Sequence, residues 1–430
     1  MLRDGQVSSG AYTRDCGCGV RVLEGEKTGY AYCESTRIED ITDAARAASA
    51  IASRGSERSV QIGESKTVEA SGKLYPMVMD WRDVEVASFI PGLHKLEEAI
   101  RAKESRTDKV RASLSYSLSQ VLMYNSLGEL TTDIRPLCSL SVSATFRSGS
   151  RLESKSTSRS YRMGAEFLSD ELIMETAGAL TNEIDRLFEA GRPKGGVMNV
   201  VMGAGASGIL LHEAMGHAFE ADFNRKGQSI FSDKMGKQVC PKGINIVDDG
   251  TIPFQRGSIN FDDEGVRGQK TYMVTDGILT SYLHDRISAS YYGVAPTGNG
   301  RRENFRFNPI PRMRCTYMEN GSDGTLEDLI RMAGNGIYVD DFSNGEVLIG
   351  QGDFTFYVKS GYMIENGRLT APIKDVNIIG NGPQALSQIR AVASDLRIDP
   401  VAWTCGKGQS AAVGCGIPSV LISGLSVGGE

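Results

Sequence analysis

The sequence predicts an α+β fold in two parts: an N-terminal two-layer α/β domain on an antiparallel sheet over residues 1–190, and a C-terminal β-rich mixed domain over 197–430. Three observations predict it. Between Val110 and Phe146 the apolar residues recur with period two. Leu114, Tyr116 and Leu118, then Leu140, Val142, Ala144 and Phe146, share one face with serines opposite, the alternation of half-buried antiparallel strands. Helical spacing flanks that stretch on both sides. The run Gly191-Arg-Pro-Lys-Gly-Gly196 then interrupts the chain, and beyond it hairpin signals dominate.

Residues 10–34 read as a hairpin, with Val20 and Val22 alternating before the turn-rich Gly25–Gly29 and Tyr30 and Tyr32 after it. Ile41, Ala44, Ala45, Ala48 and Ala52 fall at helical spacing behind Ser35-Thr36, which places an amphipathic helix over 38–53. A second helix runs from Leu93 to Lys103, with His94 as a solvated residue near its start. The serine-rich, Arg- and Lys-containing tract at 148–160 suits an exposed loop or edge strand. Leu172, Ile173, Ala177, Leu180, Ile184 and Leu187 extend a helix over 169–190. After the boundary come a strand at Val197–Met202, the loop Gly203–Gly208, a hairpin of strands at 270–275 and 280–283 around Asp276-Gly277, and two strands at 354–358 and 361–364 before the turn at Asn366-Gly367. Short helices follow near Leu326–Ala333 and Gly382–Ala391.

With 430 residues, 40% hydrophobic and 23% charged, the chain is of ordinary globular composition and long enough for two cores. A net charge of -6 offers no basic face to nucleic acid. No apolar run reaches the roughly 18 residues of a membrane span, and Met1–Gln6 lacks the apolar stretch of a signal peptide. These features point to a cytoplasmic protein that binds neither nucleic acid nor membrane. The eight cysteines are scattered without a C-x-x-C pair and read as free thiols.

Chemistry concentrates in Ile209-Leu-Leu-His-Glu-Ala-Met-Gly-His-Ala-Phe-Glu-Ala-Asp-Phe223, which holds two of the four histidines. Its His212-Glu213-x-x-x-His217 is one residue longer than the H-E-x-x-H pattern, in which two imidazoles on one helical face hold zinc beside a catalytic Glu. On a regular α-helix, positions i and i+5 diverge by about 140°, against about 40° for i and i+4. A π-type turn absorbs the extra residue, so the sequence predicts a bulged or broken metal helix in the second domain, with Gly216 tolerating the distortion. A rival reading comes from Gly203-Ala-Gly205-Ala-Ser-Gly208, a G-x-G-x-x-G that would make the protein a nucleotide-dependent enzyme. It lacks the second parallel strand ending in an acidic residue about 20 positions on.

Catalytic zinc requires a third protein ligand and an open position. Three residues are candidates: His284, followed by Asp285; Cys405 in the glycine-flanked Thr404-Cys-Gly-Lys-Gly-Gln409, with Lys407 nearby to favour a thiolate; and Cys415 in Gly414-Cys-Gly416.

Six ordered blocks carry a resemblance. They are Gly19-Val-Arg-Val-Leu23 with Gly29-Tyr-Ala-Tyr32; His212-Glu-Ala-Met-Gly-His217; Asn260-Phe-Asp-Asp-Glu-Gly265; Thr297-Gly-Asn-Gly-Arg-Arg302 with Pro311-Arg-Met313; Gly361-Tyr-Met-Ile-Glu-Asn-Gly367; and Cys405-Gly-Lys-Gly-Gln409. Together they resemble the TldD/PmbA family, in its TldD-like, metal-bearing branch. The resemblance implies a zinc peptidase with His212, His217 and Cys405 as Zn2+ ligands and Glu213 as catalytic carboxylate. It also implies short or unfolded peptides as substrates, cleaved in a dimer formed with a PmbA-like subunit or a second copy. The family's older description as a modulator of DNA gyrase supplies the alternative of a non-catalytic regulatory binder. Members usually carry a helix and a strand ahead of the Val-Arg-Val-Leu block, so an N-terminal segment is expected to be missing here.

Overall fold

In the computed structural model, which describes residues 1–53, 61–70 and 74–429, the first hairpin joins β1 (Cys18–Glu24) to β2 (Lys27–Cys33) through Gly25, whose φ of 60° suits a two-residue turn. Helix α1 (Ile38–Ser53) lies against it and buries Ala44, Ala48 and Ala52. A Cβ on Gly29 would sit 1.8 Å from the Ala48 carbonyl oxygen, so this approach requires glycine.

The period-two stretch forms β3 (Thr107–Tyr124) and β4 (Glu129–Ser148), continued antiparallel by β5 (Arg151–Tyr161). Leu140, Val142, Ala144 and Phe146 pack in one core with Leu93, Leu96 and Ile100 of α2 (Ile90–Lys103) and with Ile173, Ala177 and Leu180 of α3 (Asp170–Thr181). This is the expected layer of helices on an antiparallel sheet, with the serine-rich tract as strand β5. Ser169 caps α3, its hydroxyl accepting from the Leu172 amide. The helix expected over 169–190 is two helices: Glu183, at φ 59°, breaks it, and α4 spans Ile184–Glu189. Leu180 and Ile184 keep i,i+4 spacing across the break, so the apolar pattern conceals it.

The second part holds its own core. Strands β6 (Gly196–Met202), β11 (Gly336–Leu348), β12 (Asp353–Glu365), β14 (Val376–Asn381) and β19 (Val420–Gly428) close into a small barrel. Its order is β11-β6-β19-β14-β12, with β12 pairing back to β11, and β13 (Arg368–Ile373) adds to β12. A second sheet runs β9 (Ile278–Leu279), β8 (Lys270–Thr275), β7 (Ile246–Asp249), β10 (Cys315–Met318) and β18 (Gly414–Ile417). Leu210, Leu211, Ala214, Met215 and Phe219 fill the core between barrel and sheet, beside Phe354, Phe356, Ile246 and Met273. The histidine segment is thereby held from both sides.

Three expectations shift in this half. The strand after Asp276-Gly277 resumes at Ile278 and ends at Leu279. The two strands expected over 354–364 are the single β12. The helix at 382 stops at Ser387 (α6, following α5 at Leu326–Ala333), because Ile389–Val392 pairs as β15 with β19. Among the described residues no helix is long and apolar enough to cross a membrane.

Candidate metal centre

A helical turn at Ile209–Leu211 runs into a π-helical turn at His212–Gly216 and a 3-10 turn at His217–Phe219. The wider turn returns i+5 to the face of i, as the five-residue spacing demands. The two imidazole centroids lie 5.0 Å apart with their planes at 81°. Gly216 has ordinary helical dihedrals, φ -55° and ψ -54°. Its requirement is one of space, since a Cβ there would stand 2.1 Å from Met313 Sδ.

The preceding loop is explained the same way. A Cβ on Gly208 would lie 2.5 Å from the Gly416 nitrogen, and one on Gly203 would lie 2.8 Å from the Tyr338 hydroxyl. Gly205 takes φ 92° and donates its amide to the Ile417 carbonyl. The glycines let the loop pack backbone to backbone on β18, and the strand parallel to β6 is the distant β11.

Cys405 arrives on a separate hairpin, β16 (Thr404–Gly406) with β17 (Ser410–Ala412). Its Sγ lies 3.1 Å from His217 Nε2, and the ligand atoms of His212, His217 and Cys405 all fall within 4.8 Å of one another. The three side chains are buried, at 3%, 6% and 4% exposure. Two imidazoles and a thiol at this separation are a zinc-type donor set. The fit to a metal is supported by His212 Nδ1, a buried nitrogen with no hydrogen-bond partner. His217 turns its Nδ1 to Glu220 Oε2, 3.1 Å away, leaving Nε2 for the cluster.

Electrostatics set the site's resting charge. Burial pushes the Cys405 thiol up, but His212 and His217 outweigh it and bring the thiol down to about 5. Burial lowers His217, yet the Glu220 carboxylate and then Cys405 raise it to about 10. Glu220, which burial alone would raise, is held at about 2 by Lys407, His217 and Arg312. Without metal the pair is a thiolate facing an imidazolium. Glu213 is half-buried beside β11, where a Cβ on Gly345 would stand 3.3 Å from its Cγ. Burial raises its carboxyl above the usual range.

The structure does not bring the other candidates into this cluster. Cys415 lies within β18 opposite Thr316, its thiol pushed far up by burial. His284 is buried against Tyr282 and Tyr292 and lowered by that burial to about 4. Lys407, expected beside the Cys405 thiol, pairs instead with Glu220 and Asp222, two carboxylates around the cluster that were not singled out from the sequence. A carboxylate three residues past a candidate ligand histidine was the available signal for Glu220, whereas Arg312 stands in the Pro311-Arg-Met313 block with nothing nearby to name its partners.

A model described as the PmbA/TldA metallopeptidase C-terminal domain matches residues 195–429, the first domain of the same group matches 1–52, and its central domain matches 80–186. A Haemophilus influenzae metalloprotease TldD homolog is 37% identical over all of this chain and 90% of its own length. The chain belongs to the PmbA/TldD metallopeptidase family. A Methanothermobacter thermautotrophicus metalloprotease is 33% identical over the whole chain and 92% of its own. The PmbA/TldD fold recurs in Thermococcus kodakarensis TldE, with TM-score 0.73 and 19% identity over 95% of this chain and 89% of that one. It also recurs in a Thermotoga maritima protein described as a candidate modulator of a DNA gyrase, with TM-score 0.75 and 22% identity over 95% and 88%. Relatives named metalloproteases, together with a buried His-His-Cys cluster, imply a metal.

Proposed function

We propose that this PmbA/TldD chain is a zinc-dependent peptidase whose site lies in the 197–430 domain, with His212, His217 and Cys405 as ligands and Glu213 as general base and acid. One observation carries the reading: Glu213 follows His212 on the π turn that faces Cys405, so a carboxylate of raised pKa stands beside a two-imidazole, one-thiolate cluster. Zinc, when bound, supplies Lewis acidity and an acidified water. Glu213 takes the proton of the attacking water and delivers it to the departing amine. Its raised pKa brings it closer to neutrality, where both transfers are efficient.

The substrates are short or unfolded peptides. β11 pairs with β6 only through Gly336–Val339, and among the described residues no other strand joins that edge as β11 continues past Glu213 at Gly345. An extended peptide would add there by main-chain hydrogen bonds. The working unit is a cytoplasmic dimer with a PmbA-like subunit or a second copy. The test is hydrolysis of unstructured peptides by zinc-loaded wild type and Glu213→Gln. Turnover in the former only supports the reading, and zinc-loaded wild type without turnover overturns it in favour of a regulatory binder.

A further inference from the structure

Around the cluster stands a set of buried charges that touches no ligand position directly except through His217 Nδ1 and the main chain of the Cys405 hairpin. Glu220 is fully buried. Its Oε2 lies 3.1 Å from His217 Nδ1 and 3.0 Å from Lys407 Nζ, while its Oε1 lies 3.6 Å from Arg312 Nε. Lys407 also reaches Asp222 Oδ1 at 2.7 Å and donates to the Pro311 carbonyl at 3.2 Å. Arg312, 1% exposed, donates one Nη to the Cys405 carbonyl and the other to the Gln409 carbonyl, each at 2.8 Å.

The sequence positions give this arrangement its meaning. Lys407 sits two residues from Cys405 on the same hairpin, and Glu220 and Asp222 sit just past His217 on the histidine segment. A two-stranded ribbon of three residues per strand is too small to fix a ligand unaided. Its lysine is clamped by the two carboxylates of the histidine segment, and its carbonyls on both sides of the turn are held by Arg312. The buried Glu220 and the partly buried Asp222 are matched by the partly buried Lys407 and the buried Arg312, two anions to two cations. Glu220, by accepting from His217 Nδ1, keeps Nε2 as the free nitrogen.

We propose that Glu220, Lys407 and Arg312 are positioning residues that lock the Cys405 hairpin to the histidine turn, so that metal affinity is set by a charge network outside the ligand set. This rests on the ligand assignment proposed above. Glu220 acts through the orientation of His217, Lys407 acts through Glu220, and Arg312 acts through the backbone that carries Cys405. A merely structural ion pair would stabilise the fold and leave the metal's surroundings unchanged.

The test uses the full chain, stripped of metal and titrated with Co2+ against a competing chelator, with the thiolate-to-cobalt charge-transfer band as a direct reading of cysteine ligation. Glu220→Gln and Lys407→Met are each expected to weaken Co2+ binding by about 10- to 100-fold. The double variant is expected to bind no more weakly than the worse single, because both act through one contact. Arg312→Lys keeps the charge but not the two-carbonyl reach, and is expected to lower the charge-transfer intensity per bound Co2+. Affinities within about threefold of wild type, additive losses in the double variant, or an unaltered band in Arg312→Lys would overturn the proposal. If Lys407→Met does not fold, the charge-neutral double variant carries the affinity test and Arg312→Lys the spectral one. His212→Ala and Cys405→Ala separate the two levels. If both bind Co2+ like wild type, the ligand assignment fails; if both lose it while the Glu220, Lys407 and Arg312 variants do not, the positioning network alone fails.

Discussion

Cys405 Sγ and His217 Nε2 stand 3.1 Å apart although 188 residues separate them in sequence. Of the three candidates for a third ligand, that contact brings Cys405 alone to the histidine pair. Cys405→Ala is expected to abolish stoichiometric zinc in purified protein, whereas Cys415→Ala and His284→Ala retain it, as elemental analysis would show. Equal zinc in all three would refute the site.

The proposed function places Glu213 in the chemistry and outside the ligand set. Glu213→Gln should keep zinc and thermal stability within the usual small margin for a partly exposed position, and lose about 10²- to 10⁴-fold in kcat, the range for removing a general acid or base. Parallel loss of zinc and activity would instead make Glu213 a ligand. Glu213→Gln with a bound peptide is also the species in which slowed amide exchange over residues 342–348 checks strand addition to β11.

Metal uptake should be linked to protons. With Cys405 at about 5 and His217 at about 10 in the metal-free site, the thiol is already ionised at neutral pH while His217 holds a proton that ligation must displace. Affinity is therefore expected to rise with pH between those values, with His217 releasing about one proton per metal ion, and to fall more steeply below pH 5, where Cys405 also binds a proton. Calorimetry in buffers of different ionisation enthalpy measures the number. Glu220→Gln, which removes the main support of the imidazolium, should reduce it.

Asp263 links the two parts of the molecule. Its Oδ1 accepts from Arg135 of β4 at 2.7 Å and its Oδ2 from the Arg302 amide at 2.9 Å. Burial would raise this carboxyl, but Arg135 and Arg302 hold it at about 2. A depressed folded pKa contributes stability that is complete above the unfolded value and disappears as pH falls from there towards 2, roughly 2 kcal/mol in all. Asp263→Asn is expected to cost about 3 kcal/mol at pH 7, since it strips a buried arginine of one partner. The deficit should shrink as the solution is acidified, which urea melts at pH 7 and pH 3 would show.

Gly216→Ala tests the reason for that glycine. Because its dihedrals are helical, alanine would be harmless by backbone preference alone. The 2.1 Å clash with Met313 Sδ predicts a loss of about 1 to 3 kcal/mol, relieved by Met313→Ala. Relief would appear as a partly restored melting temperature in the double variant.

Much of this was legible in the sequence where local periodicity and local chemistry agree. The alternation through Leu140 and Phe146, the helix at 38–53 and the π turn forced by the five-residue histidine spacing all follow from residues within a few positions of one another. What escaped depends on partners far along the chain. The break at Glu183 is masked because Leu180 and Ile184 preserve helical spacing, and Ile389–Val392 became a strand because β19 offered an edge. Arg312 lies in the Pro311-Arg-Met313 block, but nothing near it names its partners, two carbonyls 93 and 97 residues away. Lys407 is the one local feature that favours Cys405 over Cys415, and beyond it only the resemblance separates them, because neither cysteine's own surroundings name its neighbour in space.

The wide separation of His217 from Cys405 also governs when the site can exist. The π turn is packed between the barrel and the second sheet, and seating the Cys405 hairpin requires the β7–β10–β18 sheet and the segment bearing Arg312, so both halves of the site depend on remote parts of the chain. Contacts so remote in sequence close late, after the loop entropy between them has been overcome. A partly folded copy therefore lacks the assembled His212, His217 and Cys405 cluster. On the proposed function, hydrolytic capacity would arise only in molecules that have finished folding.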